Sequence, residues 1–90
     1  MGVRIRVHPF YVEKVGGQEV VEVEGKNVGE CLNVLLKRYP AIREDLFDKN
    51  GQLRNHVEVY VNGQPTYPEE LKYPVSDGDE LDIVVIATSG

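Results

Sequence analysis

The sequence predicts an α+β domain in which one helix packs on one face of a single mixed sheet. Two alternating runs near its ends, VRIRV and ELDIVVIA, carry the strand period, and one central stretch carries the helical one. A lone amphipathic helix among half-buried strands has only their sheet to cover its apolar stripe. Residues 1–90 read as one domain, and a chain of this size buries only roughly 60–65% of its unfolded surface. One modest core is what it can build.

In the first strand Val3, Ile5 and Val7 share one face, and Arg4, Arg6 and His8 take the other. Gly16-Gly17 marks a turn, and EVVEVE forms a second strand with Glu22 and Glu24 toward water. The two strands read as a hairpin with a long connection. The period then changes. Asn27 suits a helix N-cap, and Glu30, three residues on, completes a capping box. Val28, Leu32, Leu35, Leu36 and Tyr39 recur at three and four residues as one apolar stripe. Lys37 and Arg38 suit the last turn, and Pro40 stops the helix. Residues 41–47 read as a short helical turn that tucks in Leu46 and Phe47.

Beyond a loop at residues 48–51, VEVYV places Val57, Val59 and Val61 on one face and Glu58 and Tyr60 on the other. Asn62-Gly63 is a strong turn signal. Three prolines between Gln64 and Val75 confine any strand there to a short edge element. After a turn at residues 76–79, the last strand points Leu81, Ile83 and Val85 inward. First and last strands lie parallel at the centre, joined through the helix. That arrangement is the β-grasp, or ubiquitin-like, fold.

The net charge of −5 argues against a nucleic-acid binder and against docking on anionic membrane, both of which rest on a cationic surface. It favours a partner with a basic face. Cys31 is the sole cysteine, so no internal disulfide forms and a reducing compartment suits the chain. No signal-like segment opens the sequence, and the apolar run 83–87 is too short to span a bilayer. A cytoplasmic, soluble protein is expected.

Two features bear on function. The last strand is apolar on both faces, so Val84 and Ile86 join Tyr60 on the side the helix leaves open, a candidate partner surface. The alternative is that a central strand carries high-propensity residues everywhere. The second feature is the small-residue tail, Thr88, Ser89 and Gly90, read as flexible and thin enough to thread into another protein's active site. A final glycine leaves its carbonyl unobstructed by a Cβ.

The helix VGECLNVLLKRYP, the VEVYVNG strand and turn, and VSDGDELDIV leading to a glycine end resemble the small sulfur-carrier proteins. That family includes the small subunit of molybdopterin synthase and the thiamine-pathway carrier, and the resemblance spans Val3 to Gly90. It implies that a ubiquitin-activating-type enzyme uses ATP to adenylate the Gly90 carboxylate, which is then converted to a thiocarboxylate. It further implies that a second enzyme accepts the sulfur, such as the large subunit of molybdopterin synthase, and that the activating enzyme grips Tyr60, Val84 and Ile86. No cofactor or metal is implied on the carrier itself, which acts as carrier or subunit rather than as an enzyme. The longer stretch from Ala41 to His56 resembles the molybdopterin or tungstopterin branch and the related carriers for cysteine synthesis. The chain departs from the family in Ser89, where Gly-Gly is usual, and in lacking the proline-containing approach common in the molybdopterin branch.

Other groupings carry less. Cys31 reads as a buried filler, His8 and His56 lack further ligands at metal spacing, and Glu19, Glu22 and Glu24 read as a solvated face. Asp77, Asp79, Glu80 and Asp82 do not follow calcium-loop spacing. Three functions stay open: a sulfur carrier, a ubiquitin-like tag joined to lysines through Gly90, and an interaction module whose tail is never activated.

Overall fold

The computed structural model describes residues 2–86. Five strands form one sheet: β1 (Val3–Arg6), β2 (Val20–Val23), β3 (Val57–Val61), β4 (Gln64–Pro65) and β5 (Glu80–Val85). Their spatial order is β2-β1-β5-β3-β4, so the first and last strands lie side by side at the centre. The β1–β5 pair is parallel, with Ile5 opposite Leu81, while the other pairs are antiparallel. This is the expected β-grasp architecture. Two helices, α1 (Val28–Arg38) and α2 (Arg43–Leu46), accompany the sheet.

Alternation decides which face is covered. Val3, Ile5, Val21, Val23, Val59, Leu81 and Ile83 all point to the helix side and are buried. From α1 they meet Val28, Cys31, Leu32 and Leu35, also buried. The expected stripe is thus rotated slightly: Cys31 takes a central place, while Leu36 and Tyr39 are only half-buried at its margin. Ile42 and Leu46 close the core from below α1, and Phe47 packs half-buried against it.

The N-terminus of α1 is built as its residues dictate. Asn27 Oδ1 accepts the Glu30 N–H at 2.8 Å. The returning Glu30 carboxylate accepts from Lys26 N–H at 2.8 Å, one residue earlier than the usual capping box has it. At the other end Tyr39 caps the helix ahead of a short 3-10 turn at Pro40–Ile42.

Two expectations need correction. The connection between β1 and β2 is not open loop but a 3-10 helix, Pro9–Val15, whose Tyr11 and Val15 are buried. Its sequence lacks the i, i+4 recurrence that betrays an α-helix, so no period announced it. The strands are also shorter than the alternating runs. β2 covers Val20–Val23 rather than the whole of EVVEVE, and β5 ends at Val85. Ile86 adds one backbone bond, its N–H donating to His56 O at 2.8 Å, and Ala87 lies outside the described residues. Alternation shows which residues can pair, but pairing stops where a neighbouring strand runs out.

Candidate functional site

The candidate site is the uncovered sheet face and the chain leaving it. β3 and β5 run antiparallel, with Tyr60 opposite Asp82 and Glu58 opposite Val84. Because side chains alternate, these four point away from the helices. Tyr60 and Val84 are diagonal neighbours on this face, within reach for an aromatic side chain. Ile86 follows where β5 ends beside His56 and is 38% exposed. The pairing therefore puts Tyr60 and Val84 on one side, with Ile86 just beyond the end of β5. Thr88, Ser89 and Gly90 lie outside the described residues.

This apolar strip has polar borders. The Tyr60 hydroxyl donates to the Glu58 carboxylate at 2.7 Å, and that hydrogen bond, reinforced by the carboxylate charge, raises the Tyr60 pKa. The phenol stays a neutral donor at any ordinary pH. On the β1 side, Arg6 reaches Glu80 at 3.5 Å and Asp82 at 3.7 Å. Both pairs are long and their side chains are partly exposed, so their energetic worth is small, but they fix a charged margin beside the strip.

Two further apolar residues are exposed, Val20 on this face and Tyr67 beyond the β4 edge of the sheet. Val20 pairs with Arg6, which points outward, and is 43% exposed. Tyr67 lines a groove with Glu58 just beyond β4 and is 79% exposed. The alternation of Val20 with Glu22 signalled the first. Tyr67 sits in a proline-bounded stretch with no period to assign its face.

The residues set aside earlier have structural tasks. His8 Nδ1 accepts the Phe10 N–H at 3.1 Å and caps the first 3-10 helix. Burial pushes the Cys31 thiol up to about 11, with the Glu30 charge adding to it, so the group is an inert filler. Asp79 accepts from Asn62 Nδ2 and from Ser76 N, which lower its pKa in that order of importance. Glu22 accepts from Gly2 N at 3.3 Å and, like Glu19 and Glu24, is exposed. Among the described residues no group of three or more His, Cys, Asp or Glu is placed to hold a metal, and no helix is long and apolar enough to cross a membrane.

Fold and face leave many families open, because one fold hosts many functions. The ThiS family model matches residues 5–90, from the first strand through the tail. The chain belongs to the ThiS family. It is thereby one of the ubiquitin-like sulfur carriers and small modifiers. Small archaeal modifier protein 1 of Haloferax volcanii is 34% identical over 71 residues, covering 77% of this chain and 78% of that protein. A chain of the Amycolatopsis orientalis BexX/CysO complex superposes with a TM-score of 0.88 at 27% identity, covering 99% of this chain and 100% of that one. Mycobacterium tuberculosis CysO gives a TM-score of 0.86 at 27% identity, over 96% and 100% of the two chains. In a ThiS-family chain of this kind, the charged and polar side chains described above work as caps, turn ties and face margins.

Proposed function

We propose that this ThiS-family chain is a sulfur carrier whose Gly90 carboxylate is adenylated and then converted to a thiocarboxylate. The observation that carries this reading is the extent of the family match, which runs through residue 90 and so takes in the tail. The geometry supports it: β5 is anchored between β1 and β3 and ends beside the apolar strip of Tyr60 and Val84.

The chemistry asks little of the carrier. In a ubiquitin-activating-type partner the Gly90 carboxylate attacks the α-phosphorus of ATP and pyrophosphate leaves. Hydrosulfide then adds to the acyl carbon and AMP leaves, so the C–S bond replaces the C–O bond to phosphate. The carrier supplies the terminus and a surface to hold, and ATP binds the partner. A sulfur-accepting enzyme next receives the tail. The longer stretch between Ala41 and His56 fits a molybdopterin-type acceptor, with this chain as the small subunit, and fits an acceptor in cysteine synthesis equally; an acceptor in thiamine synthesis is the further alternative.

A second reading, a tag joined to lysines through Gly90, is favoured by the 34% identity to Small archaeal modifier protein 1. It shares the activation step and differs in the final nucleophile. Mass spectrometry of the C-terminal peptide, after incubation with ATP, an activating enzyme and sulfide, tests the common root. A gain equal to sulfur replacing oxygen at Gly90 supports the carrier. An unmodified Gly90, beside a Gly-Gly-ended control that is modified, overturns it and leaves the interaction module. Isopeptide-linked Gly90 on lysine-containing targets identifies the tag.

A further inference from the structure

The helix side of the molecule, away from the open sheet face, holds a cleft of about 580 Å³ between α1, α2, the 48–51 loop and the 3-10 turn at Glu70–Lys72. Leu36, Phe47 and Leu71, each half-buried, give it apolar walls. Arg43, Lys49 and Arg54 stand around it against the carboxylates of Glu44 and Asp48. The cleft is thus locally cationic on a chain of net charge −5. Asp48 is also turned to its own loop, where Oδ1 accepts from Asn50 N and Gln52 N. Among the described residues none of the three cations is in an ion pair.

The cleft is built into the packing. Gly29 lines it on α1, and a Cβ there would come within 2.9 Å of Leu71 O, so only glycine lets the 3-10 turn approach the helix this closely. Arg54 is held in place by its Nε, which donates to Glu44 O at 2.6 Å. Across the shared wall of Arg54 and Leu71 lies a second groove, of about 460 Å³, whose charge leans the other way. Glu58, Glu69 and Glu70 line it with Arg54 and Lys72, and Lys72 is paired with Glu69. The two neighbouring grooves thus differ in the sign of their formal charge, three cations to two carboxylates in the first and two to three in the second.

We propose that the Leu36–Phe47–Leu71 cleft docks an acidic, apolar-anchored segment of a partner protein. Apolar side chains of that segment fill the cleft, and flanking carboxylates meet Arg43 and Lys49, the arrangement of an amphipathic segment in a groove. Such a site is independent of the tail. It can hold a partner while the open face and residue 90 are engaged elsewhere, and it stands whether or not Gly90 is activated.

The test is a nitrogen-15 NMR titration of the full chain with a synthetic peptide alternating leucine and phenylalanine with glutamate. Amide shifts concentrated at Gly29, Asn33, Leu36, Phe47 and Lys49 are expected. Affinity should fall about tenfold or more in the Arg43→Glu, Lys49→Glu double variant, and should fall with salt. Both substituted side chains are exposed, and the variant's own spectrum reports whether the fold is kept. Arg4→Glu, a charge reversal on the opposite side of the sheet, should leave affinity unchanged. Shifts confined to the open face, no shifts at millimolar peptide, or full affinity in the folded double variant would each overturn the proposal.

Discussion

Asn62 reaches across the end of the sheet to Asp79, its side-chain amide donating to the carboxylate at 3.0 Å. The same Asn62 accepts from Glu80 N through its side chain at 2.9 Å and donates its own N–H to Glu80 O at 2.8 Å. The other Asp79 oxygen accepts from Ser76 N at 2.8 Å. The turn after β3 is thereby tied to the turn that launches β5, the strand that leads to the tail.

Asp79 makes this tie pH-dependent. Its folded pKa is lowered from 3.8 by the hydrogen bonds from Asn62 and Ser76. A lowered carboxylate pKa gives stability that is fully present above the ordinary value and is lost as pH falls through the lowered one. Asp79→Asn should therefore be less stable than the parent near neutrality, and the gap should close on acidification. Denaturant midpoints measured from neutral to strongly acid pH check this.

Asn62 also adopts a positive φ of 51°, followed by Gly63 at 82°. Asn62→Ala loses the side-chain bonds and strains the turn, for a cost of about 1–2 kcal/mol. Asn62→Gly loses the bonds but relaxes the backbone, so it should cost less. Urea denaturation of the pair separates the two contributions.

Cys31 should report global unfolding. With the thiol pushed up to about 11 from 9.0 by burial, its thiolate is about hundredfold scarcer at mildly alkaline pH than in the unfolded chain. Alkylation by iodoacetamide should be slow in the native protein and should accelerate along the denaturation curve. Fast native alkylation would place Cys31 in a region that opens locally.

Val84→Lys probes the open face with little harm to the fold. Val84 is half-buried opposite Glu58, so the added cation meets a carboxylate, and stability should shift by no more than about 1 kcal/mol. Activation by the adenylating partner, followed as pyrophosphate release, should need about tenfold more carrier if this strip is gripped. An unchanged requirement would move the contact elsewhere.

Much of the frame was legible from residue order. The alternation of Val3, Ile5 and Val7 and of Leu81, Ile83 and Val85 announced the two central strands, Asn27 and Pro40 bracketed α1, and Asn62-Gly63 marked its turn. That Tyr60 and Val84 share the uncovered side was legible too, because face follows from parity once strands are paired. The 3-10 helix Pro9–Val15 was not, since three-residue turns leave no strong apolar recurrence.

By itself the sequence determined the elements, the face each strand residue takes and the resemblance to a carrier family, because these depend on periods of two and 3.6 residues along a local stretch. Only the tertiary structure decided that Asn62 holds Asp79, and that Gly29, Leu36, Phe47, Arg54 and Leu71 surround one cleft. Those residues come from segments far apart in the chain. Their meeting is set by how closely α1 and the Glu70–Lys72 turn can pack, and no local pattern records that distance.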